Sequence, residues 1–310
     1  MDNRILDRSA SPVTPAGAAV GLGTFDGLHL GHMSLINSLI RIANREKLVS
    51  LLYTFRQHPQ SVLENSSKTG LLTDDVQKRR LIGKTGIDDV VFEEFDLEYA
   101  NMTPEKFVSD IQIGKLGAGC VAAGYNYRFG RNGSGTAETL KVLGAEHGLK
   151  VHIIDPYMVN GESVSSTLIR RYVEAGEVEA ASRLLGRLFS LRGVVIEGMR
   201  IGRSMNIPTA NIIPDKSIVI PKAGVYATST KVGGRIFRSV TNIGDNPTVG
   251  VLESFRAETH IIGFEEDIYG QEIEVYMHIK LRGEEKFDGL GGLKNSILND
   301  ISKAAVYFNM

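Results

Sequence analysis

The 310-residue chain has little cysteine and no long apolar run. Its single cysteine, Cys120, excludes an internal disulfide bond. No uninterrupted apolar stretch approaches the ~18 residues that a membrane-spanning helix needs, and the first residues, MDNRILDRSASP, lack the apolar segment of a signal peptide. We therefore expect a cytoplasmic protein.

Neither sign of charge is in excess. The chain has 35 Lys and Arg residues against 36 Asp and Glu residues, which gives a formal net charge of -1. Nucleic acids and anionic membranes attract proteins with an excess of positive charge, and this sequence has none. We therefore expect small-molecule partners, with no nucleic acid and no membrane among them.

The length predicts two domains, because a domain averages ~150 residues. In the first half, apolar runs of strand length alternate with helical patterns. This alternation predicts an α/β domain over residues 1–186, whose parallel sheet has helices on both faces. Ligands of such sheets bind beyond the carboxyl ends of the strands. The predicted strands are residues 18–22, 48–55, 88–92, 119–124 and 150–155.

Beta patterns dominate residues 187–310. Residues 225–240 are typical of a hairpin that turns at Gly233-Gly234, and residues 271–282 alternate between apolar and polar side chains. A helical spacing of apolar residues returns at the end of the chain, which predicts a terminal helix packed on a mainly antiparallel sheet or barrel. The apolar positions of that helix are Leu293, Ile297, Ile301, Ala304 and Phe308.

The segment GTFDGLHLGHMS, residues 23–34, joins a predicted strand to a predicted helix. Its glycines do not fit a dinucleotide fingerprint, because Asp26 stands where the third glycine should be. A Walker loop is excluded as well, since Lys78 stands where the first glycine before Gly83-Lys84-Thr85 is needed. The alternative is a phosphate site in which a glycine turn, a helix N-terminus and two histidines bind an anion.

Four motifs in order give this half of the chain a family resemblance. HLGH at residues 29–32, TFRQHP at 54–59, GYNYRFG at 124–130 and SSTLIR at 165–170 resemble the signatures of prokaryotic bifunctional FAD synthetases. The resemblance implies a nucleotidyltransferase domain that transfers the adenylyl group of ATP to FMN, forming FAD and pyrophosphate.

The resemblance also implies site residues for this step. His29, His32, Asn126 and Arg170 would be catalytic, the histidines and Arg170 through the phosphates and Asn126 by orienting substrate or metal. Further ATP and phosphate contacts are expected at two places, namely Gly23, Phe25, Asp26, Gly27 and Gly31 in the loop, and Ser165, Ser166 and Thr167 before Arg170.

The second half resembles riboflavin kinases, which have a small β-barrel. The string GRSMNIPTAN at residues 202–211 is similar to their PTAN signature, and NIG at 242–244, Pro247-Thr248 and DIYG at 267–270 follow in order. The resemblance implies Thr209 and Asn211 as ligands of Mg²⁺, a cation that prefers oxygen donors. It further implies Gly202 and Arg203 as ATP contacts and Arg282 as a flavin contact.

A carboxylate must accept the proton of the riboflavin hydroxyl as that group is phosphorylated. By its position in ETHIIGFEEDIYG, Glu258 matches the catalytic glutamate of the kinase family, with Glu253 as a rival. An ordinary solvent-facing strand is the simpler alternative, because Arg256, Glu258 and His260 recur at period two.

The sequence therefore predicts a bifunctional enzyme with riboflavin, FMN, FAD and ATP as its substrates and products and Mg²⁺ as its metal. One departure from the kinase pattern leaves two alternatives open, because Asn206 replaces a glycine next to the metal site and restricts the backbone there. The first is an adenylyltransferase with an impaired kinase domain. The second is a flavin-binding regulatory protein.

Overall fold

The computed structural model describes residues 17–56, 59, 70–198, 202, 205, 207–245, 255–285, 287 and 289–309. The contacts divide the chain into two compact units, Met1–Ser166 and Thr167–Met310. This division falls 20 residues before the domain boundary expected from the sequence, because the helices that follow Ser165 group with the second unit. No helix among the described residues is long and apolar enough to cross a membrane.

The first unit contains a five-stranded parallel sheet in the order β3-β2-β1-β4-β7. Its strands match the predicted apolar runs to within one residue at each end. The strands of this unit are β1 (Ala18–Leu22), β2 (Val49–Phe55), β3 (Asp89–Glu93), β4 (Ala118–Gly124), β5 (Arg128–Phe129), β6 (Gly135–Thr136), β7 (Lys150–Ile154), β8 (Met158–Val159) and β9 (Glu162–Ser163). Its helices are Leu30–Glu46, Asp75–Ile82, Leu97–Ala100, Pro104–Lys106 with the π-helical Phe107–Lys115, and Ala137–Glu146, and a 3₁₀ turn covers Arg131–Gly133.

Alternation along the central strand β1 divides the core between the two faces of the sheet. Ala18, Val20 and Leu22 pack in one apolar cluster, whereas Ala19 packs in the other with the helix Leu30–Glu46. All five residues of β1 are buried, as expected for a strand covered on both faces. The predicted α/β architecture is confirmed.

The second unit is built on a closed barrel with the strand order β10-β11-β14-β13-β12-β15. In this barrel Val232 pairs with Arg235 across Gly233 and Gly234, which both have positive φ, so the hairpin turns where the sequence predicts. The strands are β10 (Phe189–Ile196), β11 (Ala210–Ile212), β12 (Gly224–Val232), β13 (Arg235–Asp245), β14 (Phe255–Ile261) and β15 (Glu272–Arg282). The helices are Ser166–Ala175, Val178–Leu185 and Gly289–Tyr307.

Hydroxyl groups fill part of the barrel interior. Five buried side chains form a continuous chain of hydrogen bonds at 2.8–2.9 Å, so each polar group has a partner without water. The chain runs through Thr230, Ser239, Thr228, Thr241 and Thr259.

The C-terminal helix is attached to the barrel by apolar contacts and one buried ion pair. Ala304 is fully buried against Val225 and Val240. Arg282, at the end of β15, donates from Nη2 to Asp300 Oδ2 at 2.8 Å and from Nε to both carboxylate oxygens. Its Nη1 also donates to the carbonyl of Gly283 at 3.0 Å, and the flavin contact expected for Arg282 stays a prediction.

We expect Arg282→Ala to destabilise the second unit by about 3–5 kcal/mol, because the buried carboxylate of Asp300 loses its partner. Chemical denaturation followed by circular dichroism measures the change. Arg235→Ala is the matched control, since it removes an exposed ion pair with Glu266 and should cost less than about 1 kcal/mol. Equal losses for the two variants would contradict the structural role of Arg282.

Candidate active sites

The first candidate site lies at the carboxyl edge of the parallel sheet. Strand β1 has β2 and β4 as its neighbours, so the segments after Leu22, Phe55 and Gly124 leave the sheet at the same edge. These segments carry three of the four motifs of the first half. The sheet topology therefore brings together residues that are a hundred positions apart in the sequence.

The loop between β1 and the first helix is a tight turn. Phe25, Gly27 and Leu28 have φ values of 50°, 77° and 35°, and only glycine adopts such values without strain. The ring of Phe25 is fully buried in the core, and its packing holds the turn in place. The side chain of Phe25 thus supports the loop, and the ATP contact expected for this residue stays a prediction.

Asp26 fixes this loop to a distant segment. Its carboxylate is buried and accepts hydrogen bonds from the amides of Leu72, at 2.9 and 3.2 Å, and Thr73, at 3.3 Å. The amide of Gly27 donates to Thr73 Oγ1 at 3.2 Å. The carboxylate therefore holds the loop to this segment, and the ATP contact expected for Asp26 stays a prediction.

His29 and His32 lie at the N-terminus of the helix Leu30–Glu46. His29 is the N-cap residue, and its Nδ1 accepts a hydrogen bond from the amide of His32 at 3.2 Å. Because Nδ1 is an acceptor, the ring proton of His29 is assigned to Nε2, which is a donor. The two imidazole rings stack with their centroids 3.6 Å apart.

Gly31 leaves room for the ring of His29. A Cβ atom at Gly31 would lie 3.1 Å from Cε1 and 3.2 Å from Nδ1 of His29. Glycine between the histidines therefore lets His29 cap the helix. The first turn of this helix has no acidic residue, so the positive end of its dipole is available to an anion.

The serines of the SSTLIR motif adjoin the same loop. Ser166 Oγ donates to the carbonyl of Asp26 at 3.0 Å, which ties the motif to the loop. Thr167 and Arg170 lie on the helix Ser166–Ala175 and belong to the second compact unit. Asn126 is exposed just after β4. A Cβ atom added at Gly124 would lie 3.4 Å from Asn126 Oδ1.

The second candidate site lies on the outer face of the barrel. Glu258 of β14 pairs in register with Asn211 of β11 and with Asn242 of β13, so the three side chains point to the same side. Their neighbours Ala257 and Thr259 are fully buried and point inward. The period-two pattern of Arg256, Glu258 and His260 is thus the outer face of a strand, and that face carries candidate functional groups.

Glu258 and Asn211 are more buried than the polar side chains of an ordinary solvent-facing strand. Burial raises the pKa of Glu258, and the charge of Arg256 opposes this shift. Asn211 is 5% exposed, and its Oδ1 has no hydrogen-bond partner within the described residues. A buried carbonyl oxygen without a donor is the type of group that binds a hard cation.

A cavity of about 500 Å³ adjoins Asn211 and Thr209. Gly198 forms part of its wall, and a Cβ atom there would lie 2.6 Å from Asn211 Nδ2 and 3.0 Å from Asn211 Oδ1. The size is within the range of nucleotide-sized pockets. Phe264 and Tyr269 add aromatic surface to the wall.

The loop before the PTAN signature is described only in part. The carbonyl of Gly202 accepts hydrogen bonds from the amides of Met205 and Ile207 at 3.2 and 2.8 Å. A Cβ atom at Gly202 would lie 2.3 Å from the carbonyl oxygen of Ile207, which only glycine avoids. The predicted residues that lie outside the described part of the chain are Arg203, Asn206, Pro247, Thr248 and Glu253.

Two residues were missed by the sequence analysis. Asn242 stands beside Glu258 in register, and its place in the NIG motif was the available signal. Lys78 lies beside the loop of the first site, where Nζ donates to Thr54 Oγ1 at 2.9 Å. No local pattern identified Lys78, because its neighbours in space are distant in sequence.

Comparisons with known proteins assign a family to each half of the chain. A sequence model of the FAD synthetase family matches residues 11–168, and one of the riboflavin kinase family matches residues 185–308. A bifunctional riboflavin kinase/FMN adenylyltransferase from Listeria monocytogenes is 33% identical over 95% of this chain and 94% of its own. Those from Bacillus subtilis and Escherichia coli are 31% and 30% identical, again over 95% of this chain and over 93% and 94% of theirs.

A crystal structure described as a macrolide-efflux protein from Streptococcus pneumoniae has the same architecture. Its TM-score is 0.85 at 29% identity, and the match covers 94% of this chain and 97% of that one. The shared fold thus extends through both compact units.

The fold and the two family matches define a two-domain enzyme of flavin nucleotide synthesis, in which a nucleotidyltransferase domain is followed by a kinase barrel. The chain belongs to the family of bifunctional riboflavin kinase/FMN adenylyltransferases. It converts riboflavin to FMN and FMN to FAD, and both steps use ATP.

Proposed function

We propose that adenylyl transfer takes place at the sheet edge of the first unit. An oxygen of the FMN phosphate attacks the α-phosphorus of ATP, the bond from that phosphorus to the β-phosphate oxygen breaks, and pyrophosphate leaves. Such reactions are accelerated mainly by positioning and charge stabilisation. The helix N-terminus capped by His29 supports this proposal most directly, because its dipole is not compensated by acidic residues.

In this proposal His29 and His32 donate hydrogen bonds to the ATP phosphates. Asp26 and Ser166 hold the loop that carries them, the first through its carboxylate and the second through its hydroxyl. Asn126 orients a substrate from the end of β4. Ser165, Thr167 and Arg170 keep the phosphate-binding roles that the family resemblance gives them.

We propose that riboflavin is phosphorylated at the outer face of the barrel. Glu258 takes the proton of the 5′-hydroxyl while the hydroxyl oxygen attacks the γ-phosphorus of ATP, and ADP leaves. The raised pKa of Glu258 favours this role, because it makes the carboxylate a stronger base than a solvated glutamate. The cavity beside Asn211 takes ATP.

Mg²⁺ is the metal that we assign to the kinase site. Thr209 and Asn211 supply a hydroxyl and a carbonyl oxygen, and the unpartnered Oδ1 of Asn211 fits a hard cation. When bound, Mg²⁺ neutralises charge on the transferred phosphates. A cytoplasmic location fits the buried, unpaired Cys120, since reducing compartments keep thiols free.

We expect the double variant His29→Ala/His32→Ala to lose FAD formation by at least about 100-fold, because the phosphate donors at the helix N-terminus are removed. Chromatography of flavins after incubation with riboflavin, ATP and Mg²⁺ should show FMN accumulating. His147→Ala, an exposed histidine of the same unit, serves as the control and should behave as wild type. Loss of FMN formation along with FAD in the folded double variant would refute separate sites.

We expect Glu258→Gln to abolish FMN formation from riboflavin, by about 100-fold or more, because the amide cannot accept the proton. The same protein should still convert added FMN to FAD. Glu179→Gln, an exposed change elsewhere in the second unit, is the control. Kinase turnover near the wild-type rate in Glu258→Gln would exclude this residue as the base.

We expect Asn211→Ala to raise the Mg²⁺ concentration needed for half-maximal kinase activity by about tenfold, the usual order for loss of a supporting metal contact. A Mg²⁺ titration of riboflavin phosphorylation in a chelator-treated sample measures it. The adenylyl-transfer step of the same sample is the internal reference. An unchanged midpoint would show that Asn211 does not hold the metal.

A further inference from the structure

Lys78 is a cation beside the loop between β1 and the helix Leu30–Glu46, which is called the phosphate loop below. Neither proposed step uses Lys78. It lies on the helix Asp75–Ile82, whose start is fixed to the loop by the hydrogen bonds from Leu72 and Thr73 to Asp26. A capping box between Asp74 and Gln77 stabilises this start. The position of Lys78 relative to the loop is therefore set by the backbone on both sides.

The ammonium group of Lys78 is held by neutral acceptors. Nζ donates to Thr54 Oγ1 at 2.9 Å and to the carbonyl oxygen of Phe55 at 3.0 Å. Thr54 in turn donates to the carbonyl of Thr24, the second residue of the phosphate loop. Two of the three ammonium hydrogens are thus used, and the group joins the end of β2 to the loop.

The third ammonium hydrogen has no acceptor within the described residues, and no carboxylate there lies within ion-pair distance of Nζ. A structural lysine in a partly buried place is normally paired with a carboxylate, because an unpaired buried charge is costly. Here the charge is kept without a direct counterion. Such an arrangement suits an ammonium group that binds an anionic ligand.

A small cavity of about 30 Å³ opens at this point. Lys78 lines it together with Thr24, Asp26 and Arg56. The volume is close to that of a single water molecule, about 30 Å³, so it admits one oxygen of a larger anion. The cavity shares Asp26 with the loop that is proposed to bind ATP, and the reaction there brings two phosphate-bearing substrates together.

We propose that Lys78 binds a phosphate oxygen of a substrate in the adenylyl-transfer step. The two sources of this oxygen are the phosphate of FMN and the triphosphate of ATP. The inference rests on the proposed location of adenylyl transfer in the first unit. Lys78 is then a substrate-binding residue, and its ammonium offsets the repulsion between two anions that must approach each other.

The charge of Lys78 is sensitive to pH near neutrality. Burial lowers the pKa of Lys78 to about 8, the charge of Arg79 acts in the same direction, and Asp26 and Asp75 oppose the shift. The other charged residues that line the cavity are Arg56 and the two carboxylates Asp26 and Asp75. Below pH 8 the ammonium is present to bind the anion, and above pH 8 the charge is lost as the proton leaves.

The test compares Lys78→Met, Lys78→Arg and wild type in FMN-to-FAD conversion, with FMN and ATP varied in separate series. We expect Lys78→Met to lower kcat/KM by about 10- to 100-fold, the range for loss of one charge-assisted contact. A loss confined to the FMN series identifies the FMN phosphate, and one confined to the ATP series identifies ATP. Lys78→Arg should recover part of the activity. Lys84→Met, an exposed change near the end of the same helix, is the matched control.

The pH profile separates binding from a purely structural role. In wild type, kcat/KM should fall above about pH 8, whereas in Lys78→Arg this fall should be absent because arginine stays charged. Values within twofold of wild type for Lys78→Met in both series would overturn the proposal. So would an alkaline fall that persists unchanged in both variants.

Two controls in the same samples keep the proposal distinct from the proposed function. Riboflavin phosphorylation by each Lys78 variant should match wild type, which shows that the second unit is intact. If wild type forms FAD but His29→Ala/His32→Ala does so equally well, the location of adenylyl transfer is wrong. If that variant is inactive while Lys78→Met is normal, only the role of Lys78 fails.

Discussion

The loop between β1 and the first helix depends on the carboxylate of Asp26. The turn has three residues with positive φ, two of which are not glycine, so the loop carries strain that its surroundings must offset. The two amides that donate hydrogen bonds to Asp26 belong to a segment that begins 46 residues further along the chain. With this contact in place, His29 caps its helix, Ser166 reaches the loop and Lys78 lies beside it.

In the second unit, the register of the strands positions the candidate site residues. Glu258 has Asn211 on one side and Asn242 on the other, and this placement follows from the pairing of three antiparallel strands. A shift of one residue would turn Glu258 inward and Thr259 outward. The barrel interior resists such a shift because Thr259 has a hydroxyl partner there. The packing of the core thus fixes which side chains lie on the outer face of the barrel.

Local patterns predicted the elements well, and contacts between distant residues less well. The strands of the parallel sheet were predictable because each is a short apolar run, and the hairpin at Gly233-Gly234 because two glycines interrupt an alternating pattern. The histidine motif at the helix start was found because it too is a local pattern. The hydrogen-bond partners of Asp26, Lys78 and Arg282 were not predictable, because each partner is set by tertiary structure. The ion pair between Arg282 and Asp300, for example, joins the last strand of the barrel to the C-terminal helix, and no local pattern indicates it.

The hydroxyl chain inside the barrel has a consequence for how this sequence can change. Each threonine or serine has one proton to donate, so each of the five hydroxyls donates in at most one of the four bonds, and the direction of each bond depends on its neighbours. Replacing Thr241 alone by valine removes the hydroxyl partner of Thr259 and leaves Thr228 with Ser239 alone, while the volume hardly changes. Changing neighbours together to apolar residues avoids that penalty. The interior of this barrel should therefore vary in correlated groups of positions across relatives, and single changes there should be rare.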